Sequence, residues 1–215
     1  MLTRAELKYQ AKEQLKGKVG ILFVVLLVYV AVTIALMIVA AIMGAIFPPL
    51  MYVGVYAVIS PLVLGYYQVY LETTYGDWPR VSTLFKPFKE SWLQSVLLIV
   101  LVGIFTFLWS LLLVVPGIIK SFSYSQAFFI LAENPDMTAN EAITESRIIM
   151  NGHKMEFFVL YLSFIPWMLL GAVTLGIAHI WITPYMTLTM TNFYHNIKRQ
   201  NAPVAETPVY EDAMV

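Results

Sequence analysis

Two stretches of this chain, Val19 to Leu71 and Phe157 to Ile197, contain no Asp, Glu, Lys or Arg. One spanning helix needs about 20 apolar residues, so each stretch predicts a pair of membrane helices folded back on itself. Pro48-Pro49 divides the first pair and a tight Thr174-Leu175-Gly176 turn divides the second. Between them lies a third apolar pair with Pro116-Gly117 at its turn, where proline suits the first turn of a new helix. The predicted spans are 19–47, 50–71, 91–113, 116–132, 157–173 and 177–194. The fourth covers only about 24 Å at 1.5 Å per residue, barely enough to cross.

The polar segments follow a different period. Thr3 with Glu6 has the spacing of a capping box, and the helix it opens over 1–18 carries an apolar stripe of Leu7, Ala11 and Leu15. Beside that stripe stand Lys8, Lys12 and Lys16, a row suited to anionic headgroups, where each basic residue contributes about 1 kcal/mol. This helix is expected to lie in the membrane interface. Glu72 to Glu90 reads as a short polar loop, and Asn134-Pro135-Asp136 breaks the fourth span. Thr138 with Glu141 then offers a second capping box. The helix that follows, 139–150, gathers Ile143, Ile149 and Met150 on an apolar face expected to dock a partner, with Asn151-Gly152 as its stop. Pro61, Pro166 and Pro184 fall inside spans, where neighbours or waters must satisfy the freed carbonyls. Residues 198–215, rich in Pro and Ala with a few acids, read as a disordered tail.

Composition agrees with this pattern. Of 215 residues, 60% are hydrophobic and 12% charged, with a mean hydropathy of +0.75; a soluble domain is typically about 45–50% apolar and 25% charged. The expected architecture is an all-α, polytopic membrane bundle of about six transmembrane helices plus two cytoplasmic amphipathic helices. Orientation follows from the basic residues: with both termini inside, all Lys and Arg but Lys120 fall on the cytoplasmic side. Cysteine is absent, which excludes disulfides and thiolate chemistry.

Lys120 is the one cation embedded in an apolar stretch. An ammonium at the bilayer centre costs on the order of 2.5–3.5 kcal/mol on insertion scales, so it must snorkel, find carbonyls or meet an anion. Helical spacing puts Ser123 and Tyr124 on its face, close to a helix N-terminus that favours anions. Lys120, Ser123 and Tyr124 are therefore the candidate site for an anion or lipid headgroup.

Arg4-Ala5-Glu6-Leu7-Lys8, Leu15-Lys16-Gly17, Pro116-Gly117-Ile118-Ile119-Lys120-Ser121, Asn140-Glu141-Ala142-Ile143 with Ser146-Arg147, Thr174-Leu175-Gly176-Ile177 and Trp181 with Pro184-Tyr185 together resemble the bacterial integral membrane family catalogued as domain of unknown function 975. That resemblance covers nearly the whole chain except the tail. It implies a multi-pass protein of the bacterial cytoplasmic membrane and transfers no catalytic residue. The Pro-Gly turn and following amphipathic helix also look distantly like the membrane region beside some bacterial glycerophosphodiester phosphodiesterases.

No enzyme is expected. The chain lacks His-Glu-x-x-His, a phosphate-binding glycine loop and Gly-x-Ser-x-Gly, and its three histidines are assigned to opposite membrane faces. No cofactor, metal or nucleic acid is implied. The expected partners are anionic membrane lipids and either a protein partner or a second copy of the chain. The leading expectation is non-enzymatic handling of a lipid or other amphiphile, or a transport accessory. The alternatives are a scaffold or regulatory subunit docking through 139–150, and a small-solute permease or channel.

Overall fold

The computed structural model of the chain describes residues 2–44 and 48–201. Its helices are α1 (Arg4–Leu15), α2 (Val19–Gly44), α3 (Pro48–Thr74), α4 (Pro87–Glu90), α5 (Trp92–Leu112), α6 (Val114–Tyr124), α7 (Ala127–Glu133), α8 (Ala139–Ile149), α9 (Lys154–Leu162), α10 (Ile165–Val173) and α11 (His179–Asn201). A short 3-10 helix, Val81–Phe85, precedes α4. No strand occurs among the described residues. Both capping boxes form: Thr3 and Glu6 close α1, and Thr138 and Glu141 close α8.

Five stretches are long and apolar enough to cross a membrane: Val19–Ile42, Gly54–Thr74, Trp92–Leu112, Val114–Glu133 and Lys154–Val173. The sixth expected span, 177–194, is not among them. It falls in α11, a continuous helix of 23 residues whose C-terminal half buries Thr189, Thr191, Asn192 and Asn196 in the protein interior. Pro48 and Pro49 open α3 rather than only ending α2, because proline is tolerated in a first helical turn. Asn201 ends α11, so 198–201 are helical; the rest of the expected tail, 202–215, lies outside the described residues, as do residues 45–47.

Large apolar side chains stand exposed along α2 (Ile34, Met37, Ile42), α5 (Ile104, Phe107, Leu112), the α5–α6 turn (Leu113, Val114) and α10 (Leu169, Val173). An apolar surface of this extent is a liability in water and the natural lining toward lipid. The polar ends meet elsewhere. Leu2 N–H donates to Asn196 Oδ1 at 3.3 Å, Gln14 and Asn192 exchange two amide bonds at 2.9 and 3.1 Å, and Lys18 Nζ donates to the Asp77 carbonyl at 3.0 Å. The N-terminal helix and the C-terminal half of α11 therefore share one end of the molecule.

Two helix breaks shape the interior. The fourth predicted span starts at Val114 and divides at Ser125–Gln126 into α6 and α7, instead of running unbroken from Pro116 to Ala132. Such a break frees backbone groups that a buried site must satisfy. Ser146 of α8 does so: its hydroxyl donates to the Ser123 carbonyl at 2.8 Å and accepts from Gln126 N–H at 3.2 Å. The fifth span begins at Lys154, earlier than Phe157, and divides at Ser163–Phe164, with Pro166 in the first turn of α10. Here the Ser163 carbonyl accepts from Lys8 Nζ at 3.4 Å. Two of the carbonyls at these breaks, those of Ser123 and Ser163, thus find side-chain donors.

Candidate functional site

A cavity of about 460 Å³ lies between α3, α5, α6, α7 and α9–α11. The stretch around the Pro-Gly turn supplies one wall: Ser121, Tyr124 and Ser125, with Phe128 and Phe129 following. The opposite wall is α11, where His179, Thr183, Met186, Thr187 and Met190 line it. Those positions recur at i, i+4, i+7, i+8 and i+11, one face of a helix. Close helix contact helps shape this region, since a Cβ at Gly171 would lie 2.0 Å from the His179 ring.

The wall chemistry is mixed, apolar and aromatic with hydroxyls and no charged side chain. Tyr66 Oη pairs with Tyr70 Oη and Thr187 Oγ1 at 3.3 Å each, and Ser125 Oγ bonds the Phe122 carbonyl at 2.8 Å, so these hydroxyls are occupied. Among the described residues, the Tyr67, Thr106, Tyr124, Tyr161, Thr183 and His179 side chains make no internal hydrogen bond and are left for a guest. Tyr67 stacks on Phe128 at 5.6 Å and meets Phe129 edge-on at 4.6 Å, which fixes the aromatic wall.

The structure separates Lys120, Ser123 and Tyr124. Lys120 Nζ lies 4.4 Å from the Trp109 ring centroid, and no ion pair among the described residues includes it. Ser123 is 2% exposed and its hydroxyl donates to Ile119 of its own helix at 3.0 Å. Tyr124 turns into the cavity, with its ring 6.2 Å from Phe105. Because α6 begins at Val114, Lys120 is well inside the helix and away from its N-terminal N–H groups.

The other expected sites are also placed. Ile143 is 2% exposed, Ile149 4% and Met150 0%, all in the core against the chain's own helices. The face expected to dock a partner is therefore occupied by α5, α6 and α7. The Leu7, Ala11 and Leu15 stripe is buried likewise, so it does not face lipid. Lys8 reaches Ser163 and sits 4.5 Å from the Phe164 ring centroid; burial and Arg4 push its pKa down. Lys12 borders an apolar nook with Trp167 and Trp181, and Lys16 pairs with Glu13 at 2.7 Å on the surface. The three histidines occupy three separate places: His153 beside Glu156, His179 at the cavity and His195 against Thr74.

One cluster has no counterpart in the sequence reading. Glu133, at the end of α7, accepts from the Tyr75 and Tyr194 hydroxyls and from Lys198 Nζ at 2.5 Å. It ties α7 to the end of α3 and to α11. His195, next to Tyr194, keeps its Nε2 2.8 Å from Thr74 Oγ1, and burial pushes its pKa down to about 4. Only the isolated polarity of Glu133 after an apolar run hinted at this, because its partners are far away in sequence.

The sequence model of the family described as "Protein of unknown function (DUF975)" matches residues 1–120 and 111–201. The chain belongs to that family. The two matches overlap on 111–120, the turn between α5 and α6 that opens toward Lys120. No curated protein and no solved structure matched the chain. Membership in DUF975, together with five helices apolar enough to span, makes this a helical membrane protein of unknown function.

Proposed function

We propose that this DUF975 protein is a non-enzymatic membrane protein that holds an amphiphile, and that it does so in the bacterial cytoplasmic membrane with both termini cytoplasmic. The observation that carries the reading is the cavity. Its volume of about 460 Å³ lies within the 300–1,000 Å³ usual for ligand sites. Its aromatic and methionine wall suits an acyl or isoprenoid body, and Tyr124, Tyr161 and His179 suit a carbonyl or hydroxyl near the head. Lys120, which enters no ion pair among the described residues, supplies positive charge for an anionic headgroup. Ser121, its chain neighbour, lines the cavity.

Native mass spectrometry tests this. The protein extracted from its membrane should retain an amphiphile that Thr106→Trp, which fills the cavity from α5, releases. Lys120→Gln should lower retention of anionic species more than neutral ones. Equal retention by wild type and Thr106→Trp would sink the reading. Partner docking, the alternative, must use another face of α8, where Ile148 is 60% exposed.

A further inference from the structure

We infer that the cleft between α1 and the C-terminal half of α11 is a second binding site, for a small ligand bearing a carboxylate or phosphate oxyanion. This cleft has a volume of about 330 Å³ and is separate from the central cavity. At the low end of ligand-site volumes, it suits a small polar molecule or a headgroup rather than a chain.

The argument rests on which hydrogen-bonding capacity is already used. Asn196 is 8% exposed. Its Oδ1 accepts from Leu2 N–H at 3.3 Å, while its buried Nδ2 has no partner among the described residues. A buried amide donor left unmade costs about 1–3 kcal/mol, and here it lies in the wall of a cleft. The neighbouring amides offer nothing to it, since Gln14 and Asn192 are committed to each other. Arg199, one turn along α11, lines the same cleft and enters no ion pair among the described residues. The one carboxylate on the rim, Glu13, is held by Lys16 at 2.7 Å. Glu133 lies outside the lining and is satisfied by Lys198 and two tyrosines. The Tyr9 and Gln10 side chains at the rim are exposed to water, and His195 Nδ1 adds one ring nitrogen; the strong donors that remain are the Asn196 amide and the Arg199 guanidinium. A guest that accepts from both must be rich in acceptor oxygens, and the guanidinium favours a planar or tetrahedral oxyanion.

The oxyanion has two sources, a soluble metabolite or a lipid headgroup. In one arm, protein in phosphatidylcholine nanodiscs is titrated calorimetrically with inorganic phosphate and with succinate. In the other, native mass spectrometry counts phosphatidylglycerol carried out of mixed nanodiscs. Saturable binding in the first arm assigns a solute; selective retention in the second assigns a headgroup. Either supports the site, and Asn196→Asp and Arg199→Gln should each weaken it at least tenfold, with Arg199→Lys weakening it less. Asn196→Asp is isosteric and keeps the acceptor for Leu2. Arg199→Gln lies on the exposed end of the helix, so one variant remains interpretable if the other misfolds. No binding in either arm, or binding unchanged in both variants, overturns the inference. Thr106→Trp should leave it intact, which separates it from the amphiphile reading.

Discussion

Replacing Ser146 by Ala tests whether α8 is a structural part of the membrane bundle. Its hydroxyl donates to the Ser123 carbonyl and accepts from Gln126 N–H, and the residue is wholly buried. Alanine removes both bonds and leaves a donor and an acceptor facing each other across a gap that alanine cannot bridge. Each orphaned buried group costs about 1–3 kcal/mol. Allowing for partial relaxation at the break, the expected loss is about 2–4 kcal/mol, and few single changes exceed that. The control is Ser123→Ala, which removes only a hydroxyl bonded within its own helix and should cost under about 1 kcal/mol. Thermal unfolding in detergent micelles, followed by intrinsic tryptophan fluorescence, provides the assay, with Ser146→Thr retaining part of the stability. A loss of less than about 0.5 kcal/mol for Ser146→Ala, or one equal to that of Ser123→Ala, would refute the bridging role.

Other expectations concern the polar end. Glu133→Gln should cost about 2–3 kcal/mol, because charge-assisted bonds from two tyrosines and a lysine weaken together. Lys198→Met should cost less, about 1 kcal/mol, since the lysine side chain is 38% exposed and screened by solvent; the same unfolding assay ranks them. His195 has its pKa pushed down to about 4 by burial, against about 6.5 when unfolded. Between those values the unfolded chain binds the extra proton, so stability falls as pH drops from 6.5 toward 4, by about 2 kcal/mol at pH 5 relative to pH 7. His195→Gln should flatten that slope. Orientation is open to single-cysteine labelling, because the chain has no native cysteine. Cysteines at the exposed Ser82 and Asn140 should be shielded from an impermeant reagent in intact cells, and one at Leu175 should react.

Much of the helix inventory was legible in the sequence because it depends on local properties. Apolar run length located five of the six expected spans as stretches apolar enough to cross, and Thr3-Glu6 and Thr138-Glu141 marked two starts through side-chain spacing alone. The breaks at Ser125–Gln126 and Ser163–Phe164 were less accessible. Each is stabilised by a residue distant in sequence, Ser146 in one case and Lys8 in the other, and single-helix patterns carry no trace of such partners. The apolar faces of α1 and α8 were legible, but what covers them was not. A stripe such as Leu7, Ala11 and Leu15 looks the same whether it meets lipid or another helix. Lys120 was conspicuous for the right reason, a charge in an apolar run, yet its place over the Trp109 ring arises from the way α6 folds back on α5. The cavity face of α11 was present in the spacing of His179, Thr183, Thr187 and Met190. It was hidden because hydroxyls in a span pass as local backbone-bonding residues.

The central claim, that an amphiphile occupies the cavity among α3, α5, α6 and α11, is tested most directly by a photoactivatable lipid analogue with its diazirine in the chain. Protein in nanodiscs containing that analogue would be irradiated, digested and mapped by mass spectrometry. The account predicts adducts concentrated on Tyr124, Tyr161, Met186 and Met190, and their loss in Thr106→Trp. Adducts confined to the outward belt of Ile34, Phe107 and Leu112, unchanged by Thr106→Trp, would contradict it.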